Sequence, residues 1–344
     1  MTTTDTTITE VVLPGVVEPD GLLLHRRAMP VPARGQALVQ VEATGISFAE
    51  QQMRHALYPG QPKFPFVPGY DLVGTVRAVG PGGDDALVGT RVAAVTKTGA
   101  WATHALVDID ALAPVPAGLD PAAAETVVVN GVTAWQMLRD ANLTAGQTIL
   151  VHGANGGVGS VLVQLGRHLG LRVIGTAAER HHAGLRELGV EPLDYRDPDM
   201  AARVRELSPG GVDAVFDPVA GPGVRTSYAL LAPGGTLVVY GNAAAVGTGQ
   251  SVAWVFVKLL ARLYTWNALP NGHRAGFYNF WAGQLTRRSA FRRRLRTDLG
   301  IVLDLLRQGV IVPQIAARYP LSEVSAALVF AENRSRAGKV VLEP

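Results

Sequence analysis

The chain has 344 residues, 48% of them hydrophobic and 17% charged, which excludes a disordered or fibrous protein and is too long for one small core. Its formal net charge of +3 is modest for that length and by itself names no polyanionic partner. There is no cysteine, which excludes disulfides, thiol nucleophiles and every zinc site that needs thiolate ligands.

From Thr9 to about Leu112 the pattern is β-like. Short apolar or alternating runs (Ala37 to Ala43, Leu72 to Val79, Arg91 to Val95, His104 to Val107) are separated by Gly, Pro and Asp clusters. An apolar segment, Ala122 to Leu138, follows. After Gly146 the rhythm changes. Thr148 to His152 reads as a buried strand, then come a glycine-rich turn, a helix from about Val158 to Leu169 and a second apolar run, Arg172 to Gly175. Further strand-like runs at Ala214 to Phe216 and Thr236 to Tyr240, with helical segments between, predict a parallel sheet covered by helices on both faces. A helix over Phe291 to Arg307 leads to Val310-Ile311-Val312 and a closing strand, Lys339 to Leu342.

Two stretches bear on partners and location. Arg287, Arg288, Arg292, Arg293, Arg294 and Arg296 lack accompanying aromatic or groove-reading motifs and read as a solvated helix face, so no nucleic acid is expected. The longest greasy stretch, Ser251 to Leu260, is short and carries Lys258, so no membrane span is expected. Met1-Thr2-Thr3-Thr4-Asp5 lacks the regions of a secretory leader, and a cytoplasmic protein is expected.

Gly153-Ala154-Asn155-Gly156-Gly157-Val158-Gly159 lies directly after a strand and opens a helix. Glycines there permit a tight turn and let backbone amides approach a pyrophosphate at the helix N-terminus. NAD enzymes place a carboxylate at the end of the next strand. Here that strand ends Thr176-Ala177-Ala178, small and neutral, and this favours NADPH. Arg180, His181 and Tyr195 are candidate phosphate partners, although Arg180 to His182 also fits a solvated helix start and Glu179 is a contrary sign. Gly241 and Asn242, just past the Thr236 to Tyr240 run, fall where such sheets bind ligands.

These residues resemble the medium-chain dehydrogenase/reductase family. Val67-Pro68-Gly69-Tyr70-Asp71-Leu72-Val73-Gly74 resembles its motif before the first core strand. Asn130-Gly131-Val132-Thr133-Ala134 looks like the segment entering its cofactor domain, Gly153 to Gly159 like its fingerprint, and Gly338 to Leu342 like its terminal strand. The resemblance implies an α/β protein: a GroES-like β catalytic domain (1–126 and 285–344) plus a Rossmann doubly wound parallel sheet (127–284), in a homodimer.

Departures from the family pattern matter as much. Zinc-dependent members carry Cys where this chain has Ser47, His-Glu where it has Tyr70-Asp71, and another Cys near Asn130. No metal is therefore expected, and the resemblance points to the zinc-free quinone oxidoreductase (zeta-crystallin-like) branch. It implies hydride transfer from NADPH to a quinone or an activated C=C. Tyr58 is similar in position to the tyrosine proposed as acid in enoyl-thioester reductases of the family. Ser47 and Thr133 join it as candidate catalytic residues, and Asn130 is expected at the nicotinamide. An enoyl-thioester reductase and a non-catalytic NADPH-binding protein remain the alternatives.

Overall fold

A computed structural model describes residues 6–241, 252–333 and 336–344. They fall into two compact units. One is formed by the residues up to Val132 together with those from Gly283 on, the other by Thr133–Ala282.

The first unit opens with β1 (Thr7–Val12) and β2 (Leu23–Ala28), an antiparallel pair. Next come β3 (Gln36–Ile46), helix α1 (Phe48–Arg54), β4 (Asp71–Val79), β5 (Arg91–Val95), β6 (His104–Asp108) and the short β7 (Ala113–Pro114). Helix α2 (Pro121–Val127) starts on a proline and is capped by the Asp120 carboxylate, which accepts from the Ala123 N–H at 3.1 Å. Helix α3 (Val129–Ala141) then leads into the second unit. The apolar segment Ala122 to Leu138 thus falls on two helices.

The second unit contains β8 (Thr148–His152), α4 (Gly157–His168), β9 (Arg172–Ala177), α5 (His182–Glu187), β10 (Glu191–Asp194), α6 (Met200–Leu207), β11 (Val212–Asp217), α7 (Val224–Ala229), β12 (Leu231–Val239), α8 (Val252–Asn267) and β13 (Arg274–Phe277). Its six strands are all parallel, in the order β10-β9-β8-β11-β12-β13. That is the doubly wound arrangement, in which the strand order reverses between β8 and β11 and ligands bind beyond the carboxyl ends of those strands. Buried on both faces, the strands read as near-continuous apolar runs such as Ile149-Leu150-Val151, each 0% exposed.

The chain returns to the first unit through α9 (Arg288–Arg307), β14 (Ile315–Pro320), α10 (Val324–Asn333) and β15 (Lys339–Glu343). There the sheet runs β14-β15-β3-β4-β5-β7, with β6 paired to β3. The arginine-rich face of α9 is in part an ion-pair surface, since Arg288 and Arg292 bind Asp108 and Arg292 also binds Asp110. No helix among the described residues is long and apolar enough to cross a membrane.

Candidate functional site

In the second unit the loop between β8 and α4 is shaped by close backbone approach. Gly153 has φ +64°, a conformation that side chains disfavour. A Cβ on Gly159 would lie 2.2 Å from the Gly153 carbonyl oxygen and 3.0 Å from the Ala154 Cα. The Ala154 N–H donates to the Thr176 carbonyl at 3.0 Å, pinning the loop to β9, and the Gly156 N–H closes the turn on the Gly153 carbonyl at 2.9 Å. Gly156 caps α4 without a side chain, so the first-turn amides over Gly157 to Gly159 meet no capping oxygen from it. Asn155, Gly156, Gly157 and Val158 are half-buried, while Ala154 is wholly buried. This cradle fits the pyrophosphate of a dinucleotide, and an added Cβ at Gly159 would press on the Gly153–Ala154 backbone that shapes it.

Two neighbouring loops meet this one. A Cβ on Gly153 would touch the Pro218 ring, and one on Gly241 would lie 2.2 Å from the Pro218 carbonyl. The turns after β8, β11 and β12 therefore converge at the carboxyl edge of the sheet. Asn242 lies outside the described residues.

Behind the glycine turn a polar network ties three strand ends together. The His152 ring has Nδ1 3.0 Å from the Thr176 hydroxyl and Nε2 3.2 Å from the Ser227 hydroxyl, and Ser227 in turn donates to the Asp217 carboxylate at 3.0 Å. Because the Ser227 proton is committed to an acceptor-only carboxylate, Nε2 must be the protonated nitrogen and Nδ1 the acceptor. Burial holds the imidazole below its ordinary value, with Asp217 pulling the other way. Thr176, 1% exposed and bonded to His152, thus braces the end of β9.

Arg180 and His181 lie in the single turn that follows β9, and Tyr195 lies just past the end of β10. These strands are adjacent and parallel, with Asp194 opposite Ala177, so the three residues share one edge. His181 Nε2 is buried with no hydrogen-bond partner, and burial, helped by Arg180 and His182, depresses its pKa. Arg196 joins the group: its guanidinium sits 5.2 Å from the Tyr195 ring centroid and donates to the Tyr195 hydroxyl at 3.2 Å. An orphaned imidazole nitrogen beside Arg180, at the strand edge that also carries Arg196, suits an additional phosphate on the cofactor's ribose.

In the first unit Ser47 caps α1. Its hydroxyl accepts from the Ala49 N–H at 3.1 Å and donates to Glu50, whose carboxylate also receives the Ser47 N–H at 2.8 Å. Glu50 is 2% exposed, and burial raises its pKa. Its other oxygen accepts the Tyr70 N–H at 2.7 Å. The Ser47 hydroxyl is committed to this cap, which makes it a brace for the Tyr70 backbone. The half-buried Tyr58 places its hydroxyl 2.8 Å from that of Tyr70.

Asp71 follows Tyr70 into β4 and is wholly buried. Lys339 Nζ lies 2.8 and 3.0 Å from its two oxygens and 2.5 Å from Glu125, also wholly buried. Asp71 further accepts the Val129 N–H at 3.0 Å, capping the helix that carries Asn130 and Thr133. Those two side chains are 6% and 8% exposed. Sequence reasoning noted Tyr70 only as a departure from the zinc pattern and gave no role to Lys339, His152, Asp217 or Arg196. Only Arg196, beside Tyr195, was visible as a charge near the expected phosphate; the others act through contacts between residues distant in sequence.

Residues 33–137 match the family described as Alcohol dehydrogenase GroES-like domain, and residues 188–342 the family described as Zinc-binding dehydrogenase. The chain is 34% identical over 330 residues to the human protein named Synaptic vesicle membrane protein VAT-1 homolog, across 92% of this chain and 81% of that one. A mycobacterial protein solved in complex with NADPH superposes with a TM-score of 0.82 at 29% identity, over 98% of this chain and 100% of that one. A quinone oxidoreductase of Pseudomonas syringae pv. Tomato DC3000 does so with a TM-score of 0.83 at 26% identity, over 98% and 100%. The zinc in the second family description does not fit the residues present: Ser47 is a helix cap, Asp71 is held by Lys339, and no three His, Cys, Asp or Glu side chains gather for a metal among the described residues.

Proposed function

Since the chain belongs to the zinc-free quinone oxidoreductase branch of the medium-chain dehydrogenase/reductase superfamily, we propose that it is a reductase that uses NADPH to reduce a quinone or an activated carbon–carbon double bond. The observation that carries this reading is the glycine cradle at the start of α4, with Arg180, His181 and Arg196 grouped at the adjoining strand ends. Gly153 to Gly159 hold the pyrophosphate through backbone amides, and Gly241 keeps the neighbouring turn close. Arg180, His181 and Tyr195 hold the ribose end, assisted by Arg196. When bound, NADPH supplies a hydride.

The chain's own chemistry is then to orient substrate and manage charge on oxygen. Tyr58 offers a phenol that can donate to an enolate or hydroquinone oxygen. Asn130 and Thr133 are braced by the Asp71 cap of α3, and Ser47 holds the Tyr70 backbone through Glu50. An enoyl thioester is the alternative substrate within the same chemistry. A homodimer is part of this reading: β13 is the edge of the parallel sheet, and α8 exposes an apolar row nearby in sequence.

The human relative's name, that of a vesicle membrane protein, favours a second reading in which NADPH is bound with little turnover. NADPH deuterated at its hydride-donating carbon separates the two. The reductase reading expects deuterium on the β-carbon of an enone or the label consumed with a quinone. Tight NADPH binding without label transfer to any acceptor would sink it.

A further inference from the structure

The second unit holds a cavity that the cofactor does not use. It has a volume of about 530 Å³ and lies between α7 and α8, lined by Arg225, Tyr228, Ala261, Arg262, Thr265 and Trp266. Helical spacing accounts for the lining. Arg225 and Tyr228 stand three apart on α7, and Arg262 and Trp266 four apart on α8, so each helix turns one guanidinium and one ring to the same side.

The apolar wall is held in place by its own contacts. The Tyr228 and Trp266 rings are stacked, with centroids 4.3 Å apart and planes at 14°. The Tyr228 hydroxyl accepts from the Asn271 side-chain amide at 2.9 Å, and the Asn271 side-chain oxygen accepts the His273 N–H at 3.1 Å. The turn after α8 therefore pins the ring pair, and the His273 ring also packs on Tyr228, with centroids 5.2 Å apart.

Tyr228 and Trp266 fall in the last turns of α7 and α8, which lead to the amino ends of β12 and β13. The carbonyl of Leu230, just past α7, accepts the N–H of Val212, the first residue of β11. The glycine turns stand at the opposite, carboxyl edge of the sheet, so the cavity is separate from the cofactor cradle.

Charge says what the cavity takes. Arg225 and Arg262 are the charged residues of its lining, and among the described residues no acid joins them and neither guanidinium has an ion pair. Other arginines of the chain are compensated: Arg54 by Glu18 and Glu332, Arg292 by Asp108 and Asp110, Arg318 by Asp120 and Glu343. The Thr265 hydroxyl spends its proton on the Arg262 carbonyl at 2.8 Å, so the side-chain donors left for a ligand's anionic group are the two guanidiniums. Forked guanidinium donors match phosphate oxygens, and the near-double charge of a phosphate monoester answers both cations at once. We propose that this cavity is a second ligand site, which takes a phosphate monoester carried on a flat ring. Arg225 and Arg262 hold the phosphate, and the Tyr228–Trp266 pair meets the ring.

The full-length protein is titrated by calorimetry with phenyl phosphate and with AMP, in the absence of NADPH and with NADPH at saturation. One equivalent of probe is expected to bind in both conditions, about tenfold more tightly than inorganic phosphate or benzoate. R225A and R262A are each expected to weaken the probe about tenfold, with circular dichroism unchanged. Tighter AMP names a nucleotide as the source of the phosphate, tighter phenyl phosphate an aryl ester, and either supports the site. Displacement of the probe by NADPH overturns the proposal, because the probe then occupies the cofactor cradle. So does inorganic phosphate or benzoate binding as tightly as the probes, an affinity untouched in both arginine variants, or no binding of either probe at millimolar concentration. The reductase reading stands whichever of these is found.

Discussion

At Gly159 one added methyl group probes the cofactor cradle, because its carbon would sit 2.2 Å from the Gly153 oxygen, inside any tolerated contact. Gly159→Ala is expected to weaken NADPH about tenfold or more, read by quenching of intrinsic fluorescence, with circular dichroism unchanged. Arg180→Ala removes a cation beside the His181 nitrogen that lacks a partner, and Arg196→Ala removes the one stacked on Tyr195. Each is expected to lower NADPH affinity about tenfold and to leave NADH affinity nearly as it was. Equal losses for both cofactors would place the arginines elsewhere than at the extra phosphate. At this scale the glycines were legible in the sequence because their spacing is a local backbone requirement. Tyr70 was not: its meaning is a hydroxyl contact with Tyr58, made by a loop folding back on a strand, and no periodicity reports that. Ser47 was legible as a position but not as a helix cap tied to a buried glutamate.

At the scale of elements, the buried group Lys339–Asp71–Glu125 ties β15, β4 and α2 and caps α3. One cation faces two carboxyl groups, and burial raises Glu125 well above its usual range. Lys339 is raised in turn, because the two carboxyl groups outweigh its burial. Removing the cation in Lys339→Met leaves the two buried carboxyl groups without it, and a loss of about 3–5 kcal/mol in urea unfolding is expected. Glu125→Gln mimics the protonated acid and should cost far less.

The sign of the pH effect follows from the raised Glu125 value. The folded chain holds a proton on Glu125 that the unfolded chain releases near 4.5, so the Glu125 contribution to stability is greatest below that pH and declines as pH rises through the raised value. In Glu125→Gln that decline should be shallower, with the part due to the raised Glu50 remaining, and an unaltered pH profile would contradict the assignment to Glu125. The strands of the second unit were legible because burial on both faces leaves continuous apolar runs. The break between α2 and α3 was not, since the Val129 N–H is capped by Asp71, far off in sequence.

For the whole molecule, α8 exposes Trp254 (58%), Val257 (51%), Leu260 (41%) and Tyr264 (78%) at helical spacing, while Leu259 and Leu263 are buried. A row of this kind on a globular protein marks a contact surface, and a second copy of the chain is the expected occupant. Sedimentation should find a dimer that Tyr264→Glu and Trp254→Glu shift toward monomer; a monomeric wild type would contradict this. The order of strands and helices was readable along most of the sequence, but which side chains the topology brings together was not, because those contacts cross the chain.

The central claim is that the chain turns over NADPH against an electrophilic acceptor. Its most direct test is the initial rate of NADPH loss by the purified full-length protein with a quinone and with an enone, set against NADH. Saturable, acceptor-dependent oxidation that prefers NADPH is the expected result. Binding of NADPH with no acceptor-dependent rate for either substrate, or turnover indifferent to the extra phosphate, would contradict it.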